Sequence, residues 1–392
     1  MRAVERYRAE IVVLVVLPIS QLIWLAKRVR RICTAPDPLA HGIRVERVAA
    51  DVRASHAQER PLRTDRSVFN SHSVRNADKS TSHKVKLSDL SAILSLDGEA
   101  NIIHVEPGVT VGEVTDFLLG RDMQLECCLE MEDATLGGLA MAQGMTTHSH
   151  VCGLLSETVV EYEVVIADGT VVVATAANTH ADLFRALPLS HGTLGFLVSL
   201  KLRVVPAKSW VELRYTPCRS QKELHQRYTA ILESARLVDE GQEPPFFVEA
   251  IAFDQESAVL MEGNLTDEAR VVNDKINRVG WWFKPWFFEH VRTMLDSGGG
   301  SGSGDPPAAT VEYIPLREYL MRHDRSMCMT MATIIPYGNR AWFRWSLGWL
   351  LPPQMSFLKS SHTTETREAS IRKQCYQDVA FPAEELCQVI HA

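Results

Sequence analysis

The chain has 392 residues, too many for one ordinary core, so about two domains are expected. Hydrophobic residues make up 46% and charged residues 23%, a balance that excludes a disordered chain. The formal net charge of −7 leaves no broad basic surface, so nucleic acid is not an expected partner. The eight cysteines form no CxxC pair and no group with zinc-ligand spacing, so neither a metal site nor a disulfide scaffold is expected.

Residues 1–31 are predicted to be a membrane anchor. The uncharged stretch Ile11–Ala26 would span roughly 24 Å as a helix, somewhat less than the ~30 Å hydrocarbon core. Arginines precede it and a basic cluster follows, and their long side chains can reach the headgroups. A cleaved signal peptide and a buried helix of a soluble domain are the alternatives. The basic excess after the stretch favours a single-pass arrangement with the catalytic body in the cytosol.

Residues 32–59 are predicted to form an amphipathic helix that links the anchor to the body, with Val45, Val48, Ala49 and Val52 on its apolar side. The stretch NIIHVE (101–106) predicts a half-buried strand. Thr110 and Glu113 have the spacing of a capping box, which predicts a helix that begins after Thr110.

Strand and turn signals dominate residues 60–208, which we assign to a first domain. Asp168-Gly169 lies between two β-rich runs and predicts a hairpin, and a short helix is expected over Ala181–Ala186. A long strand is expected to follow the glycine turn at residues 192–195. The composition changes at about residue 209, so residues 209–392 are assigned to a second domain. Within it, the Gly/Ser-rich stretch Ser297–Thr310 predicts a flexible loop.

A glycine-rich segment is the strongest candidate for a binding site. Glycines let a backbone approach a bulky anion closely, and threonine hydroxyls can donate to phosphate oxygens. These are the requirements of a dinucleotide diphosphate. On the residues alone, a glycine-rich bend between packed layers is an equally good interpretation. The segment consists of Thr135, Leu136, Gly137, Gly138, Leu139, Ala140, Met141, Ala142, Gln143, Gly144, Met145, Thr146 and Thr147.

Several stretches resemble one family in the same order along the chain. They read TLGGLAMAQGMTTHSHVCGL (135–154), ADLFRALPLSHGTLGFLVSLKLRVVPAK (181–208), WWFKPWFFEHV (281–291) and VEYIPLREYLMRHDRS (311–326). They resemble the vanillyl-alcohol-oxidase/PCMH-type FAD-binding superfamily and, more narrowly, the Δ24-sterol reductases. The resemblance implies an α+β fold with a two-subdomain FAD-binding domain, a cap or substrate domain and an N-terminal membrane helix.

The same resemblance implies the cofactor and the residues that hold it. It places FAD on the segment 135–147, on Gly192, Thr193 and Gly195 of a second glycine turn, and near His150. The segment Arg63–Ser67 stands where the first cofactor loop is expected and contains no histidine or glycine, so noncovalent FAD is expected. Location in the endoplasmic reticulum membrane and contact with a lipid bilayer are also implied.

The implied reaction is transfer of hydride from NADPH through the flavin to the Δ24 side-chain double bond of a sterol. An alkene also needs a proton, so a general acid is required. Tyr313, Arg317, His323 and Arg325 are weak candidates for it, each with a scaffold role as the alternative. Members of the family continue well past the position of Ala392, so a C-terminally shortened chain is expected. Another flavin oxidase or dehydrogenase, or an inactive FAD- or sterol-binding membrane protein, remains an alternative.

Overall fold

The computed structural model describes residues 7–33, 36–65, 82–142, 144–236, 244–297, 309–327 and 329–353. These residues form helices packed around two larger antiparallel sheets, one in each half of the chain. Apart from its two ends, the predicted Gly/Ser loop at Ser297–Thr310 lies outside the described residues, as do Arg66 and Ser67 of the expected first cofactor loop.

The N-terminal helix, a continuous rod, consists of three consecutive helical segments. They are α1 (Arg8–Ile11), a π-helical turn (Val12–Val16) and α2 (Leu17–Cys33). The stretch Ala9–Arg31 is long and apolar enough to cross a membrane. One side of the rod contacts the rest of the protein, where Val12, Val13, Val16 and Leu17 are no more than 5% exposed. The helix therefore packs on the body along part of its length.

The predicted amphipathic helix is present as α3 (His41–His56), which follows a 3-10 turn (Pro38–Ala40). Its four predicted apolar positions are all buried, as expected. They pack against Val85, Leu90, Val165 and Val198. The helix therefore covers the first sheet, and it is part of that unit rather than a free link to the membrane.

The first unit contains eight strands. They are β1 (Leu62–Thr64), β2 (His83–Val85), β3 (Ile93–Asp97), β4 (Ile102–Val105), β5 (Met123–Leu125), β6 (Val159–Val165), β7 (Val171–Ala174) and β8 (Phe196–Pro206). Strands β1 and β2 form a separate parallel pair. The larger sheet has the order β3-β4-β8-β6-β7, with β5 also paired to β8, and all its pairs are antiparallel. The long strand β8 therefore organises this sheet.

Local signals explain the helices and turns of this unit. The helices are α4 (Val111–Leu119), α5 (Leu136–Ala140), α6 (Ser149–Cys152) and α7 (Ala181–Ala186). Thr110 and Glu113 form the predicted capping box at the start of α4. Gly169 has a φ of +84°, which glycine adopts easily, and it closes the predicted β6–β7 hairpin. These predictions are confirmed.

The second unit is built on a four-stranded antiparallel sheet with the order β10-β11-β9-β12. Its strands are β9 (Trp210–Cys218), β10 (Phe247–Ala252), β11 (Ala258–Thr266) and β12 (Thr310–Pro315). Its helices are α8 (Gln221–Arg236), α9 (Phe287–Ser297), α10 (Leu316–Leu320), α11 (Thr330–Ile334) and α12 (Ala341–Leu347), the last followed by a 3-10 turn (Gly348–Leu350). Leu224 and Ile231 of α8 pack on one face of the sheet. Phe287 and Val291 of α9 belong to the main core with Tyr215 of β9, on the opposite face.

A cationic histidine joins α3 to the first sheet. His41 Nδ1 lies 2.7 Å from Glu106 Oε1, and His41 Nε2 lies 2.9 Å from Glu163 Oε2. Both ring nitrogens face carboxylates, so both must carry a proton. Burial alone lowers the pKa of His41, but the hydrogen bonds and charges of Glu106 and Glu163 outweigh it and raise the pKa from 6.5 to about 9.

We expect this contact to make stability depend on pH. Since the folded pKa is raised, the stabilisation is fully present below pH 6.5 and is lost as the pH rises through about 9. The full shift corresponds to on the order of 3 kcal/mol as an upper limit. Urea unfolding across this range should show the loss in the natural protein and a flatter profile in His41→Gln. Equal slopes for the two proteins would contradict the assignment.

Candidate functional site

The predicted cofactor segment begins with a short helix that is fastened to a neighbouring turn. Thr135 precedes α5, the Leu136 N–H donates to the Val109 carbonyl (2.9 Å), and the Gly137 N–H donates to the Pro107 carbonyl (3.0 Å). A Cβ on Gly137 would lie 2.3 Å from the Pro107 Cβ, closer than any real contact. Gly137 is therefore a glycine because the helix packs on this turn, and its amide already has an acceptor.

Gly144, at the other end of the segment, also faces protein. A Cβ there would lie 2.8 Å from the Leu155 Cβ, and the Gly144 carbonyl accepts from the Leu155 N–H (2.9 Å). The sequence interpretation assigned both glycines to close approach of a ligand; in the structure they permit close approach of the chain to itself. Gly138 and Ala142 between them are partly exposed, and Gln143 lies outside the described residues.

The second predicted cofactor turn lies against the first segment. The His191 N–H donates to the Met141 carbonyl (2.8 Å), which joins residues 189–195 to the end of α5. Gly192 has a φ of +76° and open space around its Cα, so the turn needs glycine for its backbone conformation. Gly195 instead fits against Val164 and Val165. The fold thus brings together two segments that are 50 residues apart in the sequence, and each has residues that are at least partly exposed.

His150 contacts the second unit. Its Nε2–H donates to the Pro245 carbonyl (2.8 Å), and burial lowers the pKa of His150. The neighbouring His148 stacks on Phe246, with ring centroids 3.7 Å apart, and burial lowers its pKa as well. Both rings are neutral at pH 7 and attach the glycine segment to the second unit. A further hydrogen bond joins the same segment to the second unit: the Val248 N–H donates to the Thr147 carbonyl (2.8 Å).

Three of the four candidate proton donors have structural partners. Tyr313 donates to Glu212 (3.1 Å) across the sheet. Arg317 pairs with Asp116 (2.5 Å) and Glu132 (3.2 Å), which hold its pKa above the usual range. Arg325 donates to four backbone carbonyls, those of Val279, Trp281, Trp282 and Lys284. The structure places these three side chains in scaffold contacts and does not bring them together.

The fourth candidate, His323, belongs to a buried group of charges that we call the arginine cluster (Glu130, Glu249, Arg322, His323). The Arg322 side chain is 0% exposed and donates to Glu130 (3.0 Å) and to Glu249 (2.7 Å). His323 Nε2 lies 2.8 Å from the second oxygen of Glu249. Burial would raise the pKa of Glu249, but the charges of Arg322 and His323 outweigh it, so the net shift is downward. Glu249 is therefore ionised and holds the imidazole.

The arginine cluster reaches the end of the cofactor segment. The Thr147 hydroxyl donates to Glu130 (2.5 Å), so Glu130 contacts both units. The Nδ1 atom of His323 is buried and has no hydrogen-bond partner among the described residues. Glu130, Glu249 and Arg322 were missed by the sequence reasoning. They are separated by between 73 and 192 residues, so no spacing pattern could have indicated them.

A small polar cavity of about 280 Å³ lies beside β12. Glu312 faces it and accepts from Tyr215 (3.0 Å), Asn277 (2.9 Å) and His290 (2.9 Å). Burial would raise the pKa of Glu312, but the hydrogen bonds from these donors lower it overall. The volume is below the range of roughly 300–1,000 Å³ typical of pockets for drug-sized ligands, and the lining mixes charged side chains with Ile276, Val279 and Pro285. The cavity therefore does not fit the body of a sterol.

Comparison with known proteins identifies a domain that contains the first glycine segment. Residues 44–175 match the family model described as FAD binding domain. The chain is 35% identical to the Delta(24)-sterol reductase of Rattus norvegicus, over 90% of this chain and 65% of the relative. It is 37% identical to the Delta(24)-sterol reductase of Pisum sativum, over 79% of this chain and 54% of the relative. The chain thus spans less than two thirds of the length of these relatives.

Among solved structures, a carbohydrate oxidase from Microdochium nivale in complex with a substrate analogue gives a TM-score of 0.44 at 18% identity. It covers 70% of this chain and 53% of that chain, a likeness too weak to support an inference. The sequence matches, by contrast, confirm the resemblance, the α+β fold class and the FAD-binding domain predicted from the sequence.

Proposed function

We propose that the chain is an FAD-dependent reductase, because residues 44–175 match an FAD binding domain and the chain is 35% identical to a Delta(24)-sterol reductase. Its substrate in this proposal is a sterol with a Δ24 side-chain double bond, and NADPH is the hydride donor. The observation that carries the proposal is the pairing of two glycine turns, through Met141 and His191, within the matched FAD-binding unit and its continuation.

We place the diphosphate of noncovalent FAD on the surface shared by these turns. Gly138 and Ala142 are partly exposed. Thr146 in the first glycine segment and Thr193 in the second glycine turn add hydroxyl groups. The Gly138 N–H, in the first turn of α5, has no acceptor among the described residues, so the site retains an amide donor for an anion. When bound, FAD supplies hydride transfer between NADPH and a substrate carbon.

His323 is the proton donor in this proposal. Glu249 accepts from its Nε2–H and fixes the ring, so that Nδ1, which has no protein partner among the described residues, is the nitrogen from which the proton would be delivered. Arg322 fixes Glu249, and Thr147 connects the cluster to the cofactor segment. The protein thus holds a transferable proton close to the end of the proposed flavin site.

Replacing His323 by glutamine should remove this proton while keeping a hydrogen bond to Glu249. We expect sterol reduction to fall by on the order of 100-fold or more with unchanged flavin content. His180→Gln, on an exposed histidine, is the matched control and should retain full activity. Steady-state turnover and flavin absorbance test both variants. Full activity in His323→Gln would remove His323 from this role.

The proposed function itself is tested on the purified full chain. A yellow protein that releases its flavin in acid, oxidises NADPH and forms the saturated side chain supports the reductase. Rapid reoxidation by O₂ with no sterol product would favour a flavin oxidase. A colourless protein that binds neither flavin nor sterol would contradict the proposal as a whole.

A membrane location follows from the proposed substrate, since sterols reside in bilayers. The N-terminal apolar helix is the element that could provide it. We place the protein in the endoplasmic reticulum membrane with its body on the cytosolic side. The single-pass arrangement predicted from the sequence can be tested by labelling the N-terminus from one side of a sealed vesicle.

A further inference from the structure

Three tryptophans form an exposed face on α12 and the 3-10 turn after it. Trp342, Trp345 and Trp349 are 58%, 60% and 56% exposed, and their spacing of three and four residues puts them on one side of the helix. Phe343 and Leu350, on the other side, are buried. Trp345 stacks on Phe283, with ring centroids 4.6 Å apart, so its ring is held in position while it faces solvent. Such a concentration of exposed aromatic surface marks an interaction site.

The N-terminal helix carries a second exposed apolar face. Leu14 is 72% exposed, Leu22 is 65%, and Leu25 and Val29 are each 51%. These positions recur every three, four or eight residues, so they lie on one side of the rod, opposite the side that packs on the body. The helix is therefore apolar on both sides, and only one side has a protein partner among the described residues.

Hydrogen bonds join the N-terminal helix to the segment that follows the tryptophans. Gln21 Nε2 donates to the carbonyls of Leu350 (2.8 Å) and Pro352 (3.1 Å), so the tryptophan-bearing segment lies beside the middle of the N-terminal helix. Farther along the helix, Arg31 donates to the Ser91 carbonyl (2.9 Å) and pairs with Glu113 (2.8 Å). The helix is thus attached to the body at two points roughly 15 Å apart.

This attachment limits how the helix can meet a bilayer. Gln21 lies roughly 18 Å from each end of the helix, so a perpendicular crossing would place Gln21 and the bonded residues 350–352 near the centre of the hydrocarbon. The backbone carbonyls and polar groups of the body would then be buried in lipid, at a large cost in free energy. A helix that lies in the membrane plane avoids this cost and brings its exposed apolar side into contact with lipid.

We propose that the exposed side of the N-terminal helix and the three tryptophans form one surface that seats the protein in a single leaflet of a phospholipid bilayer. Tryptophan favours the boundary between headgroups and acyl chains, where its ring is apolar and its N–H can remain hydrated. Arg28, near the end of the helix, adds a positive charge that suits anionic headgroups. This surface requires only contact with lipid, so it stands apart from the proposed reductase activity.

The first test measures binding of the full chain to phosphatidylcholine vesicles with and without phosphatidylserine. The triple variant Trp342→Ser, Trp345→Ser, Trp349→Ser should partition roughly tenfold more weakly, since it loses a large apolar area. Val171→Ser with Val173→Ser removes exposed apolar side chains from β7 and is the matched control; it should bind like the natural protein. Brominated lipids should quench tryptophan fluorescence in the natural protein and much less in the triple variant.

A second test determines the side of the membrane on which the N-terminus lies. Cysteines are introduced by Ala3→Cys or Gly98→Cys in a background in which Cys33, Cys152, Cys328, Cys375 and Cys387 are replaced by serine, and they are labelled with an impermeant maleimide in sealed vesicles. An in-plane helix predicts labelling of both from the same side. Labelling from opposite sides would show a crossing helix and overturn the proposal. Unchanged partitioning and quenching in the triple variant would overturn it too, and would show that another part of the chain or another molecule covers the tryptophans.

Discussion

Replacing Arg322 by methionine should destabilise the protein by about 3–5 kcal/mol, the range expected when one partner of a buried ion pair is removed. The side chain is fully buried between Glu130 and Glu249, and methionine would fill a similar volume without its charge. Two carboxylates would then share a buried space without the charge that Arg322 supplies. Urea unfolding monitored by circular dichroism gives the change in the free energy of unfolding.

The control for this variant is an arginine in an exposed pair. Arg292 is 51% exposed and lies 3.2 Å from Glu289, so Arg292→Met should cost about 0–1 kcal/mol. Adding Glu130→Gln and Glu249→Gln to Arg322→Met should recover much of the loss, because the unpaired charges are removed. A cost below about 1 kcal/mol for Arg322→Met alone would show that the cluster is not a buried ionic network that stabilises the fold.

Gly138→Val should produce a folded protein without flavin. Gly138 lies within α5, where valine is a better helix former than glycine, so the fold should tolerate the change. Its side chain would stand on the partly exposed surface proposed for the diphosphate and would hold the phosphates away from the backbone. The ratio of acid-released flavin to protein, measured beside the melting temperature, separates loss of cofactor from loss of fold.

Two other glycines provide the comparison. Gly42, also in a helix, has no atom within 4 Å of the position that a Cβ would occupy, so Gly42→Val should keep both fold and flavin. Gly137→Val should instead fail to fold, because its side chain would overlap Pro107. Full flavin content in Gly138→Val would show that the diphosphate does not lie on this surface.

Local signals in the sequence predicted much of the fold. The capping box at Thr110 and Glu113 depends on residues three positions apart, and the hairpin at Gly169 depends on a single φ angle. The apolar positions of α3 follow from helical periodicity, and all are buried. Such features depend on residues that are close together in the sequence, so they can be predicted from the sequence directly.

Features that depend on distant residues were not predictable in this way. The arginine cluster combines Glu130, Glu249 and Arg322 from separate elements. The packing roles of Gly137 and Gly144 depend on Pro107 and Leu155, which no local pattern connects to them. His323 was one of four equal candidates in the sequence, and only its contact with Glu249 distinguishes it as the proposed proton donor. The cofactor site itself stays a prediction.

The contacts of Glu130 affect how the chain can be divided for study. The change in composition near residue 209 suggests a cut between two independent pieces. A fragment that begins there would contain Arg322 and Glu249 but would leave Glu130 behind, and it would also lose the Asp116 and Glu132 partners of Arg317. Each half would expose charged surface that the intact chain neutralises. The two units should therefore be expressed together, because neither retains a balanced set of charges when separated.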